Sequence, residues 1–218
     1  MLKLSFLRQM FFPQICLLCK QTASDVVCES CFNCLTLQLN TDKSTVTLDS
    51  EYDYYYLLPY SKDVKFLLTQ LKFNKNLIVN RIFKQLISQW ANEINADFSG
   101  EVAITAVPIH RLRYLYRGFN QSEILANHIA KSLDTYICHS MFTRDKYTKA
   151  QAKSTKAIRH KQIKGVFGAK ERFEIEHLIV FDDVLTTGST LSEFIRVIKQ
   201  ECKVGKITVI SLTNASIS

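Results

Sequence analysis

The sequence predicts an α/β protein, a parallel sheet flanked by helices, with a small cysteine-bearing module at its N-terminus. Three observations carry this. Short apolar runs alternate with helical stripes from residue 102 onward, the pattern of βαβ units. Five of the seven cysteines fall between Cys16 and Cys34. The chain has 218 residues, room for one α/β domain and an appendage, and 47% of them are apolar, enough for a real core.

The elements follow in order. Val46 to Pro59 alternates and is rich in tyrosine (Tyr52, Tyr54, Tyr56), which predicts extended structure. Val64, Leu67, Leu68 and Leu71 stripe one helix; Val79, Ile82, Phe83, Leu86, Ile87 and Trp90 stripe the next. Val102 to Val107 reads as a buried strand stopped by Pro108, and Ser122 to Leu133 as a helix with Leu125, Ile129 and Leu133 on one face. Tyr136 to Phe142 is a further strand candidate. Leu178 to Phe181 is a short, fully apolar strand, Leu191, Phe194, Ile195 and Ile198 mark the following helix, and Ile207 to Leu212 closes with a strand. The division expected is residues 1–45 for the cysteine module and 46–218 for the main domain.

Charge narrows the partners. Lys and Arg number 28 against 20 Asp and Glu, a net charge of +8. Such a balance favours anions: phosphorylated small molecules, nucleic acid or a membrane surface. The apolar N-terminus is interrupted by Lys3, Arg8 and Pro13, so it fits neither a membrane span nor a signal peptide. An amphipathic helix packed on the domain is expected there, in a soluble, cytoplasmic protein whose thiols stay reduced.

Leu178-Ile-Val-Phe-Asp182-Asp183-Val-Leu-Thr186-Thr187-Gly188-Ser189-Thr190 holds the densest chemistry. A buried strand delivers two acids to the carboxyl edge of a sheet, where open α/β folds bind ligands. A hydroxyl-rich turn with one glycine then enters a helix. Backbone N–H groups and the dipole at that helix start attract phosphate. Gly188 permits close approach, and Thr186, Thr187, Ser189 and Thr190 add hydroxyl donors. Asp182 and Asp183 can accept hydrogen bonds from sugar hydroxyls or help hold Mg²⁺. The plain alternative is a capped helix after a solvated acidic turn. A Walker loop is excluded, because no lysine follows the glycine.

This segment resembles the signature of the type I phosphoribosyltransferases. The resemblance implies that Asp182 and Asp183 face ribose hydroxyls and that Thr186 to Thr190 hold the 5′-phosphate. A second motif, Val107-Pro108 to Arg113-Tyr-Leu-Tyr-Arg117-Gly118-Phe119-Asn120-Gln121, reads as a basic loop leading into a helix. Arg113 and Arg117 can pair with pyrophosphate oxygens, or can simply lie in solvent. The stretch is similar to the Val-Pro…Arg-Gly-Phe-Asn-Gln motif of the ComF family of competence proteins, and Gln70-Leu-Lys72-Phe73 is similar to that family's Leu-Lys-Tyr/Phe stretch. The family also has a Gln, then Arg-x-x-Asn, then Phe in a mobile basic segment. Here stand Gln151, Arg159-His-Lys-Gln162 and Phe167, with Gln162 in the place of Asn.

Cys16-x2-Cys19-x8-Cys28-x2-Cys31 is a paired knuckle spacing suited to tetrahedral Zn²⁺. Cys34 can replace Cys28 or Cys31 in that set. A site of four thiolates supplies folding energy rather than catalysis. One metal site is expected.

The ComF resemblance implies phosphoribosyl pyrophosphate with Mg²⁺ as ligand and natural transformation as the process, in which single-stranded DNA is taken up and handled in the cytoplasm. It also implies a competence helicase and DNA-processing proteins as partners. Arg144 to Lys164 carries eight Lys or Arg and one acid, with Tyr147 inside it. It reads either as a solvated lid or as a track for a phosphodiester backbone. The second function is an active phosphoribosyltransferase, with Asp182 and Asp183 catalytic, acting on a nitrogenous acceptor; the fold does not decide between them.

Overall fold

The structure, a computed structural model, describes residues 14–73, 77–147 and 163–215. Its centre is a six-stranded sheet in the order β3-β4-β10-β9-β5-β6. The strands are β3 (Ser44–Thr47), β4 (Glu51–Pro59), β5 (Val102–Ala106), β6 (Tyr136–Ile137), β9 (Glu174–Leu185) and β10 (Lys203–Asn214). All neighbours run parallel except β3 against β4. The predicted division at residues 45 and 46 lies inside β3.

Two apolar clusters sit on the sheet, and strand alternation feeds them in turn. Leu178 and Val180 of β9 join one cluster while Ile179 and Phe181 join the other. All four are fully buried, as a continuous apolar run in a parallel sheet requires. One cluster lies under α6 (Ser189–Glu201), which contributes Leu191, Phe194, Ile195 and Ile198. The other lies under α2 (Lys62–Phe73), α3 (Leu77–Ile94) and α5 (Gln121–Ser132), whose apolar stripes match the predicted ones.

Four elements differ from the sequence reading. β9 runs from Glu174 to Leu185, well beyond the apolar run, because β10 pairs with it along its whole length. The acids Asp182 and Asp183 are therefore inside the strand. Tyr136 to Phe142 is not one strand: β6 extends the main sheet, whereas β7 (Phe142–Arg144) pairs with β8 (Phe167–Ala169) in a separate antiparallel ribbon. Ser140 between them has φ 56, which breaks extended backbone. The basic stretch after Pro108 is a helix, α4 (Arg111–Arg117), not a loop. The His110 Nδ1 accepts from the Leu112 N–H at 3.1 Å, and Gly118 ends it at φ 84. The closing strand begins at Lys203, four residues before its apolar run.

The cysteine module packs on the main domain. β1 (Gln14–Ile15) and β2 (Thr22–Ala23) form a two-stranded knuckle, followed by α1 (Glu29–Thr36). Cys16, Val27 and Leu35 belong to the same apolar cluster as α2 and α3. Trp90, fully buried in α3, donates its indole N–H to the Asn40 carbonyl at 2.6 Å and so ties the linker after the module to the core. The predicted N-terminal helix, and the Gln151, Arg159 and Gln162 comparison, lie outside the described residues. Among the described residues no helix is long and apolar enough to cross a membrane.

Trp90→Ala removes the largest fully buried side chain and orphans the Asn40 carbonyl. Urea unfolding is expected to show a loss of about 3–5 kcal/mol, and Trp90→Phe a clearly smaller one.

Candidate functional site at the carboxyl edge of the sheet

Asp182 and Asp183 sit near the end of β9, one residue apart, and meet different partners. Asp183 is buried. Its Oδ2 accepts an ion pair from the Lys72 ammonium of α2 and a hydrogen bond from Gln121 Nε2 at 3.2 Å. Gln121 Oε1 in turn accepts from Arg117 at 2.8 Å. Asp182 Oδ1 accepts the Asp183 N–H at 2.9 Å and faces the Ser122 hydroxyl at 3.4 Å. Burial, and then the neighbouring Asp183 carboxylate, push the Asp182 carboxyl up to about 7, against the pull of Lys72 and Arg144.

The network explains the Asn120-Gln121-Ser122 triplet. Asn120 caps α5 by accepting the Ser122 N–H at 3.1 Å, and its amide donates to the Val107 carbonyl at 3.1 Å. This fixes the first turn of α5 against the end of β5, so that Gln121 and Ser122 reach the two acids. Val107 is itself held by its N–H on the Phe181 carbonyl at 2.9 Å.

The predicted arginines are turned toward this edge. Arg113 and Arg117 are half-buried on one side of α4. Burial and the nearby Arg113 lower the Arg117 guanidinium, while Asp183 opposes that shift. Arg144 on β7 is affected alike: burial and Arg113 lower it, and Asp182 opposes. Arg117, Arg144 and Lys72 thus surround two carboxylates with Arg113 beside the two arginines, an excess of positive charge suited to an added polyanion.

Beyond the acids, the turn of Thr186 to Thr190 leads from β9 into α6. Gly188 precedes α6 at φ 70, and no side chain caps the helix start. A methyl group on Gly188 would collide with Leu48. Thr187 and Ser189 hydroxyls lie 3.0 Å apart; Thr186 is exposed and Thr190 half-exposed. Sequence reasoning placed Asp182, Asp183, Arg113, Arg117 and Thr186 to Thr190 here, and the structure brings their elements to one edge. It missed Lys72 and Arg144 as members. Lys72 had a signal, its place in Gln70-Leu-Lys72-Phe73; Arg144 had none beyond a basic run.

The cysteine cluster is a second site. The Sγ atoms of Cys16, Cys19, Cys28 and Cys31 all lie within 4.8 Å of one another. Tetrahedral Zn²⁺ with Zn–S of ~2.3 Å needs sulfurs about 3.8 Å apart, so this set can coordinate a metal ion. Cys34 stands outside it, exposed on α1. Burial raises the Cys16 thiol, but the backbone N–H groups of Cys28, Cys19 and Leu18 outweigh it and bring it down to about 6, which favours the thiolate a metal requires. Burial and the other cysteines raise Cys31, the penalty a bound cation would relieve.

Two outcomes follow. Cys16→Ser is expected to reduce bound zinc, read by elemental analysis, and to lower the melting temperature, whereas Cys34→Ser keeps both. Lys72→Met removes the ion-pair partner of the buried Asp183, and urea unfolding is expected to show a loss of about 3 kcal/mol.

No family model matches this chain. It is similar to competence protein F of Haemophilus influenzae, 25% identical over 177 residues, which cover 79% of this chain and 73% of that protein. It is also similar to the DNA utilization proteins YhgH of Escherichia coli O157:H7, 26% identical over 62% of this chain and 60% of theirs, and of Escherichia coli K12, 32% identical over 41% and 40%. Among solved structures, a hypoxanthine phosphoribosyltransferase from Staphylococcus aureus superposes with a TM-score of 0.40 at 14% identity, over 61% of this chain and 62% of that one. An adenine phosphoribosyltransferase from Thermoanaerobacter pseudethanolicus gives 0.40 at 9%, over 84% and 99%. By sequence, the chain is thus similar to competence protein F and to the YhgH DNA utilization proteins.

Proposed function

We propose that this protein binds phosphoribosyl pyrophosphate with Mg²⁺ at the carboxyl edge of β9 and acts in natural transformation, handling single-stranded DNA in the cytoplasm. In this reading residues 1–45 form a structural zinc module and 46–218 the ligand-binding domain. A competence helicase and DNA-processing proteins are its partners, in keeping with the names of its relatives.

One observation carries the ligand: two carboxylates, an excess of cations and an uncapped helix start after Gly188 meet at one sheet edge. A ribose 5-phosphate bearing pyrophosphate needs those three features together. The carboxylates accept from the ribose hydroxyls, the turn of Thr186 to Thr190 donates to the 5′-phosphate, and Arg113 and Arg117 face the pyrophosphate. Among the described residues the only cluster of three or more metal-ligating side chains is the cysteine set. Mg²⁺ therefore fits as an ion that arrives with the pyrophosphate oxygens and uses at most the two aspartates. When bound, it neutralises the pyrophosphate charge.

Calorimetric titration with phosphoribosyl pyrophosphate, with and without Mg²⁺, tests this reading. Asp182→Ala combined with Asp183→Ala is expected to abolish binding; unchanged affinity would sink the proposal. Gly188→Ala is expected to weaken binding by tenfold or more, because φ 70 and the Leu48 contact both exclude a side chain. The pH dependence has a definite sign. Below about 7 the Asp182 carboxyl holds its proton and cannot accept a ribose hydroxyl with both oxygens, so affinity should rise as pH increases from 6 to 8. Release of pyrophosphate on addition of nitrogenous bases would identify a transferase instead of a binder.

A further inference from the structure

α4 is amphipathic in the reverse sense. Its two inward residues, Arg113 and Arg117, are charged. Its outward residues, apart from Arg111, are apolar or aromatic: Leu112 is 57% exposed, Tyr114 49%, Leu115 67% and Tyr116 75%. A helix that served only to close the fold would turn that set into the core. The inward arginines are accounted for by the acid edge. The outward face has no partner among the described residues that would bury it.

The same helix forms part of the wall of a cavity of about 570 Å³, in the size range of small-molecule sites. His110, Arg111 and Tyr114 contribute to that wall, together with Arg144 and the exposed Lys170. Two acids also line it, Asp145 and Glu123, and Glu123 is held by His139 Nδ1 at 2.8 Å. Tyr147 lies on the Arg113 side of the helix: its ring is 5.3 Å from His110 and under the Arg113 guanidinium at 5.8 Å, and it is 49% exposed. Arg111 and Tyr114 belong both to the cavity wall and to α4, so the two features are continuous.

We infer that the cavity and the outward face of α4 form one docking surface for single-stranded DNA. Charge and residue type select this occupant. Tyr114 and Tyr116 offer stacking faces for bases, with the exposed Arg111 and Lys170 beside them as cations for phosphates. A chain of net charge +8 gains by placing a polyanion on such a face and loses by placing a second copy there. Tyr114 and Tyr116 stack bases, and Arg111 and Lys170 contact the backbone, with the cavity receiving one base. Arg113 and Arg117 stay with the acid edge on the opposite side of the helix. This inference rests on the DNA-handling part of the proposed function and supplies its location.

The experiment is fluorescence anisotropy of a labelled oligothymidylate of about 20 nucleotides with the full chain, at several salt concentrations. Tyr114→Ala with Tyr116→Ala is expected to weaken binding by about tenfold or more. Arg111→Ala with Lys170→Ala is expected to flatten the salt dependence. Both double variants should retain the wild-type melting temperature and the wild-type calorimetric affinity for phosphoribosyl pyrophosphate. If the wild-type chain fails to bind the oligonucleotide, the DNA reading falls and takes this surface with it. If the wild type binds and the tyrosine variant binds equally well, the surface alone is wrong. A wild-type dimer that the tyrosine variant dissociates, with oligonucleotide affinity intact, would assign the face to a second copy and overturn the inference.

Discussion

The Asp183 carboxylate sets the terms for everything near it. A buried carboxylate costs several kcal/mol unless it is paired and hydrogen-bonded. Here the pairing comes from α2 through Lys72 and the hydrogen bond from α5 through Gln121. Each of those helices is packed on the sheet by its own apolar stripe, so the charge is satisfied only when both are docked. Asp182 sits beside it with a carboxyl raised by burial and by that neighbour. The edge can hold two adjacent acids because Lys72, Arg117 and Arg144 surround them. It can hold a polyanion for the same reason, since the cations exceed the acids they neutralise.

How much of this was readable in the sequence depends on the range of the interaction. Helical stripes such as Val64–Leu71 and Val79–Trp90 are local patterns, and they survive intact because the core face of a helix is set by 3.6-residue spacing. The Asp182-Asp183…Gly188 turn was legible because strand, acids, glycine and helix are consecutive. The Lys72–Asp183 pair was not, because it joins residues far apart in the chain and nothing in either segment names the other. The extent of β9 was hidden for a related reason: Glu174 to His177 offers one apolar residue, Ile175, and its pairing is dictated by β10. α4 escaped recognition because helix periodicity was sought as an inward apolar stripe, whereas its inward side is Arg113 and Arg117.

The cysteine module shows the opposite case, in which spacing alone pointed to the cluster. Two short knuckles place Cys16 and Cys19 in the β1–β2 turn and Cys28 and Cys31 at the start of α1. The spacing could not distinguish Cys34 from the others; helical geometry does, by carrying it to the exposed side of α1. Nor could it show that Cys16 and Leu35 share a core with α2 and α3. The module is thereby part of the support for the helix that carries Lys72.

The position of β10 has a consequence for the order in which the molecule is made. The last described strand lies between β4, the first long one, and β9. Its register sets Thr208 beside Asp53 on one flank and Ile179 on the other. During synthesis, β4 and β9 must therefore wait with their inner edges unpaired until β10 leaves the ribosome. Each carries an apolar run, Leu57 and Leu58 after the tyrosines in β4 and Leu178 to Phe181 in β9, that can pair with other chains in that interval. The six-stranded sheet is complete only once β10 lies between β4 and β9.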